Sequence, residues 1–110
     1  MSQPYDVNCI FCRIVAGAEP ASMVHQDEMA VAFMDIRPAT PGHLLIVPRH
    51  HCVSLVNLEP GIAAHLMRVA VRLDVAIRSS GVRCQGVNLL LADGEAAGQD
   101  VFHVHLHLIP

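Results

Sequence analysis

The chain ends His103-Val104-His105-Leu106-His107-Leu108-Ile109-Pro110. Three imidazoles alternate with bulky apolar residues. In a strand, successive side chains point to opposite faces. His103, His105 and His107 then share one face, about 6.5–7 Å apart along it. Val104, Leu106 and Leu108 share the other and bury against a core. A helix would scatter the three rings around its circumference. The pattern predicts a strand over residues 101–109, which lines up three groups able to act as nucleophile, acid, base or metal ligand near neutral pH.

Upstream, residues 93–100 read as a Gly-rich loop in which Gly94-Glu95-Ala96-Ala97-Gly98-Gln99 lets backbone N–H groups approach an anion. Residues 87–92 predict another strand. Residues 60–80 predict the one long helix, with Pro60 in its first turn and Gly81 after its end. Ile62, Leu66, Val69, Leu73, Ala76 and Ile77 form an apolar stripe at helical spacing. Ala64, Val71 and Val75 lie opposite, with Met67 beside them, and Arg68 and Arg72 divide the two faces along one edge. A helix apolar on two sides needs two partners: the chain's own sheet and the same helix of a second copy. Residues 43–48 read as a buried strand, too apolar to alternate, after a Pro-Gly loop at 38–42. Residues 22–26 and 30–34 predict strands around a turn at Asp27-Glu28. Residues 9–16 predict a two-turn helix stopped by Gly17. The order (helix, three strands, long helix, two strands) predicts one α+β domain over residues 1–110. It would hold a mostly antiparallel five-stranded sheet, paired as a two-fold dimer.

Composition narrows the function classes. At 110 residues and 53% hydrophobic the chain is too apolar for disorder. With only 15% charged residues, part of its surface is expected to meet another subunit. The net charge of -3 argues against a nucleic-acid partner. All seven basic residues are Arg, so Schiff-base and P-loop lysine chemistry are absent. No stretch suits a bilayer span, and the N-terminal residues lack a signal peptide's basic and apolar regions. Four cysteines without such a leader point to a reducing, cytoplasmic setting rather than a disulfide framework.

Two constellations carry chemistry. The histidine row supports either metal binding, if all three rings bend to one ion, or nucleophilic catalysis, with the middle ring attacking an electrophile such as phosphorus. Cys9-Ile10-Phe11-Cys12 offers two thiolates for zinc or a redox pair. No thioredoxin-like strand precedes it. For zinc, His50 or His51 and a terminal histidine are the pool of further ligands. His50 and His51 cannot both face inward on an extended chain.

Together these segments resemble the histidine triad family of nucleotide hydrolases and transferases. Five pieces match in order: Cys9-Ile10-Phe11-Cys12-Arg13-Ile14, Ala32-Phe33-Met34-Asp35-Ile36, Gly42-His43-Leu44-Leu45-Ile46-Val47-Pro48, the pair Gly86-Val87-Asn88 and Ala97-Gly98-Gln99, and the histidine row. The branch resembled is the Hint-like nucleoside phosphoramidase in its bacterial CxxC form. The resemblance implies that His105 is the nucleophile on a nucleotide α-phosphate, forming a nucleotidyl-histidine that water hydrolyses. It implies that His103 and His107 orient His105 and bind phosphate oxygens, and that Asn88 and Gln99 hydrogen-bond the phosphate. Asp35 would take the ribose hydroxyls, and Phe11, Ile14, Phe33 and Ile36 would wall the pocket of a purine nucleotide (an AMP or GMP moiety). It also implies a structural Zn2+ on Cys9, Cys12, His51 and His103, a homodimer through helix 60–80, no cofactor for the chemistry itself, and no nucleic-acid or membrane partner. Family members usually carry Ser or Thr where this chain has Asp100, and a carboxylate there would repel phosphate unless protonated or turned away. Three rival readings remain open: a nucleotide-binding interaction protein with little turnover, a dinucleoside polyphosphate hydrolase, and a metal-binding protein using the row itself.

Overall fold

The computed structural model describes residues 2–110. A short strand β1 (Ser2–Gln3) leads to helix α1 (Ile10–Val15), then the hairpin β2 (Met23–Gln26) and β3 (Ala30–Met34), and β4 (Leu44–Pro48). Strand β5 (His51–Cys52), a 3-10 turn at Leu55–Asn57, the long helix α2 (Pro60–Arg78), β6 (Asn88–Leu90), a second 3-10 turn at Glu95–Ala97 and β7 (Leu106–Ile109) complete the chain. Five strands form one antiparallel sheet in the order β2-β3-β4-β7-β6, and β1 pairs with β5. The α+β architecture with a five-stranded antiparallel sheet is as the sequence predicts.

Local chemistry starts and stops these elements. The Cys9 sulfur caps α1 by accepting from the amide of Cys12 at 3.4 Å. The Glu59 carboxylate caps α2 by accepting from the amides of Gly61 and Ile62, and Pro60 fills the first turn, where no N–H is needed. Asp27 closes the β2–β3 turn: its Oδ1 accepts from the amides of Met29 and Ala30, and its Oδ2 accepts from His25 at 2.6 Å and His65 of α2 at 2.7 Å. Burial works to raise this carboxyl, but the bonds from His25, His65 and the two amides outweigh it and hold it well below the usual carboxylate range. The hairpin is thereby tied to α2.

The sheet separates two cores. Leu44, Ile46, Leu106 and Leu108 pack against Leu66, Val69, Ala70, Leu73 and Ile77 of α2. Val31, Phe33, Leu45 and Val47 point to the other face and pack against Phe11 and Cys12 of α1. Gly42 has φ +89 where the chain enters β4, and a Cβ there would lie 3.0 Å from Ile77 and from Val82. The close approach of β4 to α2 depends on that missing atom.

The departures from expectation have physical causes. On α2, Ala70 is buried and Ala76 exposed, because the inward stripe follows 66, 69, 70, 73 and 77. The opposite face (Met67, Val71 and Val75) is exposed, Val71 by 59%. The last strand is Leu106–Ile109 rather than 101–109. Ladder pairing of β7 to β4 stops at Ile46↔Leu106. The amide of Val104 turns instead to the Cys52 carbonyl at 2.7 Å, and the carbonyl of Pro48 accepts the His103 ring. Only His107 of the three histidines therefore sits within the strand.

Candidate functional site

The bend before β7 divides the histidine row. His103 is fully buried. Its Nε2–H donates to the Pro48 carbonyl at 2.8 Å, which leaves the Nδ1 lone pair facing Cys9 Sγ at 3.4 Å, Cys12 Sγ at 3.6 Å and His51 Nδ1 at 3.2 Å. Cys12 Sγ lies 3.3 Å from His51 Nδ1. All four residues are buried and their donor atoms lie within 4.8 Å of one another. His50 is exposed while His51 points in.

This donor set fits zinc. Tetrahedral bonds of 2.0–2.3 Å place ligand atoms about 3.3–3.8 Å apart, close to the spacing already present. Burial pushes the Cys12 thiol up to about 11, with the neighbouring Cys9 adding to it against a lowering backbone contact at Asp6. Burial also lowers His103 to about 4, helped by His51, His105 and His50 and opposed by the Pro48 carbonyl. His103 is thus neutral at pH 7, the form a metal requires, whereas the thiol must lose its proton on binding. The Asp6 carboxylate stands 3.8 Å from His51 Nε2, the ring nitrogen that does not face the cluster.

His105 and His107 face a different space. Their ring centroids are 5.0 Å apart, and both line a cavity of about 310 Å3, at the lower end of small-molecule sites. Phe11, Ile14, Phe33 and Ile36 form its apolar wall, and Asp35, Glu19, Arg37 and Asp100 add charge. Phe11 stands edge-on to both His105 and Phe33. His105 is only 2% exposed, and the cavity is its outlet. Its Nδ1–H donates to the His103 carbonyl at 2.8 Å. The lone pair is therefore on Nε2, as a nucleophile needs.

His107 receives its tautomer from a partner that sequence reading left without a role. The amide of Ala39 donates to His43 Nδ1 at 3.0 Å, so His43 carries its proton on Nε2 and donates to His107 Nδ1 at 2.9 Å. His107 then holds its own proton on Nε2, available to an anion. Asp35 Oδ2 lies 3.5 Å from His43 Nε2, and its Oδ1 accepts from the amide of Arg37. Burial, reinforced by His105 and His43, lowers the pKa of His107 despite the opposing pull of Asp35 and Asp100, which favours the neutral ring.

Of the residues named from sequence, the cavity gathers Phe11, Ile14, Phe33, Asp35, Ile36, His105 and His107, while Cys9, Cys12, His51 and His103 gather beside it. The His103 ring has both nitrogens engaged elsewhere and meets His105 only through its carbonyl. Asn88 pairs with Ile109 on the His107 face of the sheet but does not line the cavity. Gln99 is buried with its amide committed: Nε2 donates to the carbonyls of Val53 and Val101, and Oε1 accepts from Gly94. It braces the loop before Asp100 and has no donor left over. His43 was missed. Its only sequence signal is a histidine at the mouth of an otherwise apolar strand.

Comparison with known proteins bears on the fold and the family. The family model for the HIT domain matches residues 16–110. A zinc-bound histidine triad family protein from Mycobacterium smegmatis superposes with a TM-score of 0.90 at 43% identity, covering 93% of this chain and 73% of that one. A HIT family protein from Bacillus anthracis superposes with a TM-score of 0.89 at 45% identity, over 94% and 73% of the two chains. Among sequence relatives, the adenylylsulfatase HINT3 of Arabidopsis thaliana is 35% identical over 94% of this chain and 52% of its own length. With a matching HIT domain over residues 16–110 and solved structures 43% and 45% identical over most of its length, the chain belongs to the histidine triad (HIT) family, a nucleotide-binding family that includes hydrolases.

Proposed function

We propose that this domain hydrolyses nucleoside phosphoramidates, or transfers their nucleotidyl group, through a covalent nucleotidyl-histidine on His105. The observation that carries the reading is the pairing of His105 Nδ1 with the His103 carbonyl, which fixes a bare Nε2 at the wall of the cavity. In the first step Nε2 bonds to the α-phosphorus, the P–N bond breaks, and its electron pair leaves on the amine nitrogen, which takes up a proton. In the second step water attacks the same phosphorus and gives up a proton to solvent, the P–Nε2 bond breaks with its electron pair returning to the ring, and the mononucleotide departs. The cationic ring formed by attack is stabilised by the His103 carbonyl. His107 offers its Nε2–H to the phosphoryl oxygens and relies on His43 for that tautomer. Phe11, Ile14, Phe33 and Ile36 would enclose the base, and Asp35 would accept from the ribose hydroxyls. In this reading His103 acts through its carbonyl, and Asn88 approaches the phosphate only if its side chain turns toward His107.

Zinc, held by Cys9, Cys12, His51 and His103, would be structural, since a closed four-ligand site leaves no position for substrate. It would clamp α1, β5 and the segment before β7, and so hold the carbonyl that orients His105. The exposed face of α2 supports a homodimer: Met67, Val71 and Val75 lie outward on a helix whose other side is already covered. No helix among the described residues is long and apolar enough to cross a membrane.

A panel of adenosine 5′-phosphoramidate, ADP and diadenosine polyphosphates separates the readings. Release of AMP from the amidate, lost in His105→Ala, is expected. Tight binding without turnover would favour an interaction protein instead, and preference for the polyphosphates a dinucleotide hydrolase. For the dimer, Val71→Glu is expected to halve the mass seen by light scattering. A wild-type chain that already runs as a monomer would contradict it.

A further inference from the structure

The cavity to which the proposed function assigns a phosphate ester is poor in positive charge. Glu19, Asp35 and Asp100 line it, against one guanidinium, Arg37, and Glu19 already faces Arg13 at 3.7 Å. Asp100 is the carboxylate nearest the reacting atom, with Oδ1 3.5 Å from His105 Nε2. Its side chain is 82% exposed, and its charge also acts on His107. In the proposed function the nucleoside lies against the apolar wall at Phe11 and Phe33, so the group leaving phosphorus from His105 would pass the exposed carboxylate of Asp100.

Resting on the function proposed above, we infer that Asp100 selects the leaving group by charge. It favours nucleoside phosphoramidates whose amine carries a second ammonium a few bonds from the scissile nitrogen, and it rejects leaving groups that bear a carboxylate or further phosphates. A carboxylate a few ångströms from the departing group attracts an ammonium and repels an anion, and at a partly solvated mouth each unit of charge is worth about tenfold in rate. A phosphoramidate fits this mouth because its single phosphoryl charge sits at His105 and His107, whereas a polyphosphate would place further negative charge against Asp100.

The test is kcat/KM for three AMP amidates of matched length, made from 1,3-diaminopropane, propylamine and β-alanine, with wild type and Asp100→Asn. Comparing ratios between the two proteins cancels the intrinsic reactivity of each amidate. The two amidates differ by two units of charge, so the ratio of diaminopropane to β-alanine amidate should fall about a hundredfold in Asp100→Asn, and should shrink in wild type as salt is raised. Asp100→Lys should invert the order. A ratio that is the same in wild type and Asp100→Asn overturns the inference while leaving the proposed hydrolysis intact. No turnover of any amidate by wild type overturns the proposed function, and this inference with it.

Discussion

His103 and His105 are separated by one residue and both are buried, yet they belong to opposite kinds of site. Around His103 every donor points inward: two thiols and two imidazole nitrogens face one another, and Pro48 closes the back of the ring. Around His105 and His107 the donors face a cavity, and each ring is oriented from behind, by the His103 carbonyl in one case and by His43 in the other. The first cluster satisfies its members with each other or with an ion. The second keeps one nitrogen per ring for something that arrives from outside. The bend before β7 sends neighbouring histidines to these two ends, and the His103 carbonyl joins them.

Changes that touch one cluster should leave the other's property intact. The largest effect is expected for His105→Ala, which should lower kcat/KM for an AMP amidate by at least about 10³-fold while zinc content, read by metal analysis, stays near one per chain. If zinc is lost with His105, the two clusters are a single metal site and the separation fails. Cys12→Ser should do the reverse. It should release the metal and cost about 4 kcal/mol or more of stability, seen as a large drop in Tm. An unchanged Tm would remove zinc from the structural account. A smaller effect is expected for His43→Phe. The ring loses the proton it donates to His107, and kcat/KM should fall about 10²-fold with zinc content and Tm little altered. Wild-type activity in that variant would mean that the His107 tautomer is fixed by something else.

Much of this was legible in the sequence, and what was not has definite causes. Caps and periodicity placed α1, α2 and the strands β2, β3, β4 and β6, because Pro60, Gly81 and the apolar runs act locally. Alternation placed His105 and His107 together at the cavity. It misplaced His103, because a strand ends where its neighbour can no longer pair. Here that limit is set by Pro48 and by the pull of Cys9, Cys12 and His51, which are distant in sequence. The resemblance makes Gln99 a phosphate ligand, but its amide is used by the carbonyls of Val53 and Val101, which are contacts the loop sequence does not announce. The His25-Asp27-His65 clamp was invisible for the same reason: His65 lies on a helix 38 residues from the turn it grips.

The central claim is that His105 Nε2 bonds to phosphorus. Wild-type enzyme mixed with an AMP amidate, quenched within one turnover under alkaline conditions and digested, should yield one nucleotidylated peptide, with the adduct on His105 and none in His105→Ala. An adduct on His103 or His107, or turnover with no adduct at any quench time, would contradict it.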